Sequence, residues 1–429
     1  MNRRLDRLAI AISAAITLVS CASRVTAAPA GLDTTSIHWP DGTEIAAFEN
    51  LDGIVLLNIT TTGVDGRDTT GAFALDTGAG YLALDRPLAA WLGIADSSLS
   101  EPIAIAQRPL PRLRLGDLTM DQVSPVITFD AAVLRRVTDR PVLGLWGQRL
   151  MKDRILWIDY ATGRMALIPA GEPSGGGDPS RPAGGLVSGA AFPVRFRLTE
   201  DGKILLRARI FPRIGRPTPA RVFALDTGAS KCVLFGRAAD SLGGGADWRP
   251  ALRGLLAPTL VGNSPARLVR ASRVEVEGVR APDVDVLIVD SPLAEALGRV
   301  AGEPIHGLLG YSFLRRFRIA IDYPHGVLWL DPNPRFRDDR PYEHSHAGLQ
   351  LDREAGTVRV AAVAEPSPAE RAGIHVGDEI VSVDSLPAAS SNLPELGRLM
   401  EGRPGSVLVV TIRRGGHETT YRLRRRRLL

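Results

Sequence analysis

Phe73-Ala74-Leu75-Asp76-Thr77-Gly78-Ala79 recurs letter for letter as Phe223-Ala224-Leu225-Asp226-Thr227-Gly228-Ala229, 150 residues further on. A period of that size is a small domain rather than a solenoid repeat, so the chain reads as a duplicated lobe. Two later pairs of matches keep the order. Gly144-Leu145-Trp146-Gly147 returns as Gly307-Leu308-Leu309-Gly310, and Ile158-Asp159-Tyr160 as Ile321-Asp322-Tyr323, both offset by 163. The offset grows by 13 between the early and late markers, which assigns extra loop residues to the second lobe, at about 243–265.

Each copy reads mainly as strands. Residues 54–61 and 71–75 are β-rich runs around the turn Gly63-Val64-Asp65-Gly66, a hairpin that feeds Asp76. The second copy has runs at 194–198, 204–210 and 221–225, with Asp201-Gly202 as a turn. Gln148-Arg149-Leu150-Met151 and Tyr311-Ser312-Phe313-Leu314 read as single short helices. The lobes are expected at 36–168 and 190–333, joined by a Gly/Pro-rich linker at 169–189 that cannot bury enough apolar surface to order itself.

An Asp at the end of an apolar strand and ahead of Thr-Gly is held rigidly close to a core. If the two lobes pair about a two-fold axis, Asp76 and Asp226 come face to face, and two adjacent carboxylates share one proton. One is then poised as base and the other as acid, which suits hydrolysis of a peptide bond by an activated water with no metal or cofactor. Thr77 and Thr227 carry hydroxyls that fix the two loops across the pair. Ala79 and Ala229 offer no hydroxyl, so a mild acid optimum is expected.

These residues resemble the retropepsin-like aspartic proteases, in which each lobe brings an Asp-Thr-Gly-Ala loop and a later apolar-apolar-Gly segment. The resemblance spans about 43–332. It implies two β-barrel lobes related by pseudo-two-fold symmetry, a dyad of Asp76 and Asp226, and supporting loops of Thr77, Gly78, Thr227 and Gly228. It also implies a β-hairpin that closes over the substrate, for which residues 113–126 and 273–288 are the two candidates. Both Asp lie on one chain, as in pepsin-like proteins, so catalysis need not await dimerisation.

A third unit of different pattern is expected at 340–429. Ser367-Pro368-Ala369-Glu370-Arg371-Ala372-Gly373 reads as a short helix ended by Gly, and Gly377-Asp378 as the turn before a strand. The stretch looks like a PDZ domain, a small α+β fold that takes a peptide as an added strand. By that resemblance Gly348, Leu349, Gln350 and Leu351 form the loop for a peptide carboxylate, and residues 393–400 the helix lining the groove.

Apolar residues at 45% and charged ones at 23% fit a soluble globular chain rather than a disordered or membrane-embedded one. The net charge of +5 is scattered, and its densest run, Arg422 with Arg424, Arg425, Arg426 and Arg427, reads as a solvated end, so no nucleic-acid partner is expected. Arg3, Arg4 and Arg7 precede an apolar stretch at 8–19 and then small residues, the order of a secretory signal within 1–28. That stretch is too short for a lasting membrane anchor.

Leu18-Val19-Ser20-Cys21 is similar to the lipobox of bacterial lipoproteins, which implies lipid attachment at Cys21; ordinary cleavage after Ala27 or Ala28 is the alternative. Either puts the chain outside the cytoplasm, in the periplasm or lipid-anchored to the envelope. Cys232 is the one other cysteine, so no disulfide framework exists, and it reads as a small buried hydrophobe. The expected function is an exported aspartic endopeptidase whose PDZ domain recruits or gates polypeptide substrates. The alternative is an inactive peptide-binding or scaffold protein acting through the PDZ groove.

Overall fold

The computed structural model describes residues 37, 39–96, 103–170, 186–214, 217–241, 248, 250–259, 262–336 and 345–429. The leader at 1–28, Cys21 and most of the 169–189 linker lie outside the described residues. The chain is mainly β. In each lobe the strand that ends at the repeated Asp lies between its hairpin partner and the strand of the apolar-apolar-Gly marker. Asp68–Asp76 pairs antiparallel with Ile54–Thr62 and parallel with Val142–Gly147, which sets Gly147 beside Asp76. Arg221–Leu225 pairs in the same way with Ile204–Phe211 and Gly307–Leu309, which sets Leu308 beside Ala224. The early and late repeats are therefore neighbours in space, and one duplicated constraint accounts for both.

Side chains alternate across these strands with period two. Val55, Leu57, Phe73 and Leu75 enter a core that also holds Ile204, Leu206, Phe223 and Leu225, so the two lobes share it. The opposite face of the first sheet carries Ile54, Leu56, Ala74 and Leu145; that of the second carries Leu205, Ala224, Val233 and Leu308. Asp76 and Asp226 continue the alternation of Ala74 and Ala224 and belong to these second faces.

A six-stranded sheet joins the lobes, in the order Glu44–Ala47, Arg164–Pro169, Arg154–Asp159, Phe317–Asp322, Val327–Pro332, Phe192–Arg195. Its central antiparallel pairing sets Ile155 against Asp322 and Asp159 against Arg318, which maps onto itself under the 163-residue repeat, so the pseudo-two-fold axis passes through it. The run expected as one strand at 194–198 is split. Phe192–Arg195 joins this shared sheet, and only Arg197–Leu198 pairs with Ile204–Phe211.

The extra residues of the second lobe are a hairpin rather than a loop. Ala251–Thr259 pairs with Gly262–Val276, and Leu252, Leu255, Ala257, Ala266 and Leu268 cover the face that carries Ala224 and Val233. The two hairpins singled out in the sequence do form: Leu110, Leu113 and Leu115 of one, and Val274, Val276, Val279 and Ala281 of the other, enter the shared core, and Leu287 of the latter joins the cluster beneath the long hairpin.

The C-terminal domain has its own core around Leu349, Leu351, Val360, Ile380, Leu396 and Leu408. Its sheet runs Leu349–Glu354, Thr357–Val363, Glu379–Val383, Val407–Arg414, His417–Arg424. The helix Pro368–Arg371 is capped by Ser367, whose hydroxyl accepts from the Glu370 N–H at 3.1 Å. The helix Leu393–Met400 starts in a capping box of Asn392 and Glu395. The arginine run is not wholly solvated. Arg425 is buried and donates to the carbonyl of Met400 at 3.3 Å, neutralising the end of that helix.

This domain is tied to both lobes. The Gln350 amide accepts from the Leu256 N–H at 3.1 Å and donates to its carbonyl at 3.0 Å, and Arg253 exchanges backbone bonds of 2.9 and 3.0 Å with Glu365. Asp139, at the end of the first-lobe helix Ala132–Thr138, accepts from the Leu393 N–H at 2.9 Å and pairs with Arg353 at 3.3 Å.

Candidate active site

The two Asp-Thr-Gly loops meet on the pseudo-two-fold axis of one chain. The Thr77 N–H donates to Thr227 Oγ1 at 3.0 Å and the Thr227 N–H to Thr77 Oγ1 at 3.0 Å. Each hydroxyl then donates into the opposite strand, Thr77 to the Leu225 carbonyl at 3.3 Å and Thr227 to the Leu75 carbonyl at 3.2 Å. Both threonines are fully buried, so all four bonds are sheltered from water.

The grip presses the carboxylates together. A Cβ on Gly78 would lie 2.8 Å from Asp226 Oδ2, and one on Gly228 would lie 2.9 Å from Asp76 Cγ, so each loop has room only for glycine over the opposite carboxylate. The Gly78 and Ala79 N–H groups donate to Asp76 Oδ1 at 2.7 and 3.1 Å, and the Gly228 N–H donates to Asp226 Oδ1 at 2.8 Å. Oδ2 of each Asp has no hydrogen-bond partner among the described residues. These two oxygens are the unsatisfied acceptors of the site.

Burial disfavours charge here. It raises the proton affinity of Asp76 above the usual carboxylate range, against the two N–H bonds to Oδ1. Asp226 is pushed well above that range, first by burial and then by the neighbouring charge of Asp76. The pair therefore holds a proton at pH values where free carboxylates have lost theirs.

The peptide-binding residues expected in the C-terminal domain are placed differently from a free loop. Leu349 and Leu351 point into the domain core within the edge strand Leu349–Glu354, and the Gly348 N–H donates to His346 Nδ1 at 2.8 Å. The Gln350 side chain is engaged by Leu256 of the second lobe. A cavity of about 250 Å³ remains where Val133 and Arg136 of the first lobe, Pro258 and Asn263 of the long hairpin, and Leu351 and Asp352 converge. Cys232 is buried as expected, and burial pushes its thiol up, out of the reactive range.

Two buried ion pairs near the site were invisible to motif reading. Lys203 Nζ lies 2.8 Å from Asp201 Oδ2, and Lys231 Nζ lies 3.8 Å from Asp52 Oδ1, with all four side chains almost wholly buried. Asp52 and Asp201 do occupy matched Asp-Gly turns, and that repeat was the available signal.

Comparison with known proteins finds two matched segments in the chain. Residues 215–313, which contain Asp226, match the family described as "Aspartyl protease", and residues 359–414 match "PDZ domain". A probable CtpA-like serine protease of Staphylococcus haemolyticus is 25% identical over 95 residues, 22% of this chain and 19% of its own. The serine endoprotease DegS of Salmonella typhimurium is 38% identical over 80 residues, 19% of this chain and 22% of its own. The chain thus spans only about a fifth of the curated relatives it matches. Among solved structures, the aspartic proteinase from Irpex lacteus is similar at a TM-score of 0.40 and 12% identity, over 68% of this chain and 98% of that one. The chain is mainly β, with an aspartyl protease-like segment in its second lobe and a PDZ domain near its end.

Proposed function

We propose that the chain is an aspartic endopeptidase in which Asp76 and Asp226 activate a water. The observation that carries this reading is the reciprocal Thr77/Thr227 grip, which faces two like-charged carboxylates together where an ordinary fold would separate them. The ionised carboxylate draws a proton from water held at the two Oδ2 atoms, and the protonated one donates to the carbonyl oxygen of the scissile peptide. Collapse of the tetrahedral adduct reverses the roles. The hairpin of Ala251–Thr259 and Gly262–Val276 is the element suited to covering an extended substrate, because it already packs on the face that Asp226 shares.

The substrates in this reading are polypeptides, held also by the PDZ domain between the edge strand Leu349–Glu354 and the helix Leu393–Met400. Export by the leader, with or without lipid at Cys21, places the enzyme in the envelope. The test is cleavage of casein from about pH 3 to 8 by wild type, Asp76→Asn and Asp226→Asn. Loss of activity in both variants is expected. Cleavage that persists in either overturns the shared dyad, and no cleavage by wild type favours a peptide-binding protein instead.

A further inference from the structure

One of the positions at which the duplicated lobes differ lies on the strand beside the dyad. In the first lobe Leu56 pairs with Ala74, and continuing that register by two residues sets Ile54 opposite Asp76. In the second lobe Leu205 pairs with Ala224, and the same step sets Lys203 opposite Asp226. Residues opposite one another in an antiparallel pair share a face. Asp52-Gly53-Ile54 and Asp201-Gly202-Lys203 are thus the same turn in two copies, with an apolar residue in one and a cation in the other.

Ile54 and Lys203 are both buried, at 0% and 2% exposure. The fold accepts an apolar residue at this place, as Ile54 demonstrates, so burying an ammonium there costs stability without structural need. Lys203 is held by Asp201 at 2.8 Å, and Asp201 is held in turn by the Thr199 hydroxyl. The charged groups that act with it are Asp201 in its own turn and the two dyad carboxylates, while Asp52 of the matched first-lobe turn pairs instead with Lys231 of the second lobe. The buried hydroxyls of Tyr160 and Tyr323 stay neutral.

We propose that Lys203, at the strand position opposite Asp226, is a positioning residue of the dyad whose buried ammonium, held by Asp201, favours the singly ionised pair and so extends cleavage toward acid pH. The field of Lys203 does oppose the effect of burial at both carboxylates. The inference rests on the dyad reading above.

The experiment is the pH profile of kcat/KM for wild type, Lys203→Met, Lys203→Arg and Asp201→Asn, with folding checked by circular dichroism. Loss of the cation should move both limbs of the profile to higher pH, by up to about one unit, the lower end of the effect of an opposite charge nearby. Lys203→Arg should stay near wild type. Asp201→Asn, which leaves the cation without its counter-charge, should move the profile the other way, and it serves even if Lys203→Met does not fold. A purely structural lysine would give no such opposed pair. Carbon-13 NMR of labelled aspartate, assigned with Asp76→Asn and Asp226→Asn, reads the same ionisation without turnover. A shift there without cleavage keeps the role of Lys203 and sinks the peptidase reading. Dyad titrations unchanged in Lys203→Met, or moved the same way by Lys203→Met and Asp201→Asn, overturn the proposal.

Discussion

Replacing Thr77 by valine keeps the volume of the side chain and deletes one hydroxyl, which isolates the contribution of the grip. That hydroxyl accepts from the Thr227 N–H at 3.0 Å and donates to the Leu225 carbonyl at 3.3 Å. The Thr227 N–H is fully buried, and without Thr77 Oγ1 it is an orphan donor. An orphan costs about 1–3 kcal/mol and the second bond about 1, for a total of about 2–4 kcal/mol. At about 2–4 °C per kcal/mol for a unit of this size, Tm should fall by about 5–15 °C. Activity should fall further than stability at the assay temperature, because a displacement approaching 1 Å between reacting groups costs about a hundredfold. Thr77→Ser retains the hydroxyl and should keep most of both. The assay is thermal unfolding followed by circular dichroism beside kcat/KM on an unstructured substrate. Equal Tm and equal kcat/KM for the valine and serine variants would refute the reasoning.

Asp226→Asn should stabilise the protein at neutral pH. A carboxyl whose folded proton affinity is raised contributes stability below its unfolded pKa of about 4, and that contribution is lost as pH rises through the folded value. The gain over wild type should therefore be near zero at pH 3 and grow toward pH 7, at about 1.4 kcal/mol for each tenfold rise in proton affinity; a Tm difference independent of pH would contradict the burial argument. Gly78→Ala should lower kcat/KM at least about tenfold, since its methyl carbon would sit 2.8 Å from Asp226 Oδ2, and unchanged kinetics would mean that the loops do not touch. Gln350→Ala removes both bonds to Leu256, so amide exchange across 253–258 should quicken about tenfold, whereas exchange as slow as in wild type would show that Gln350 does not hold the hairpin.

Within the two lobes, what can be read from the sequence is what the duplication wrote twice. The identical stretches ending at Asp76 and Asp226 announced two matched strand ends, and the Gly147 and Gly310 markers turned out to lie beside those same strands. Local pattern does not reveal on which face each hairpin packs. Leu113 and Val274 alternate as well as Leu255 and Ala257 do, and the face each meets is set by sheet order, a long-range property. Gln350 was read as part of a peptide loop because the local motif is the same whether its amide meets a ligand or the Leu256 backbone. Lys203 is hard to read from sequence for a related reason. A lysine one step beyond a turn looks like a solvated charge until the partner lobe buries it.

The two copies share the construction of the site and differ in what surrounds it. Both lobes keep the loop, the grip and the flanking strand, since loss of any of them from one lobe would leave the other with unpaired buried groups. Among the described residues the long hairpin and the lysine held by Asp201 belong to the second lobe, and the helix that ends at Asp139 gives the first lobe its hold on Leu393. The C-terminal domain therefore touches one lobe through the hairpin and the other through that helix. A peptide that added a strand along Leu349–Glu354 would compete for the same edge that Gln350 and Arg353 now use to bind the two lobes.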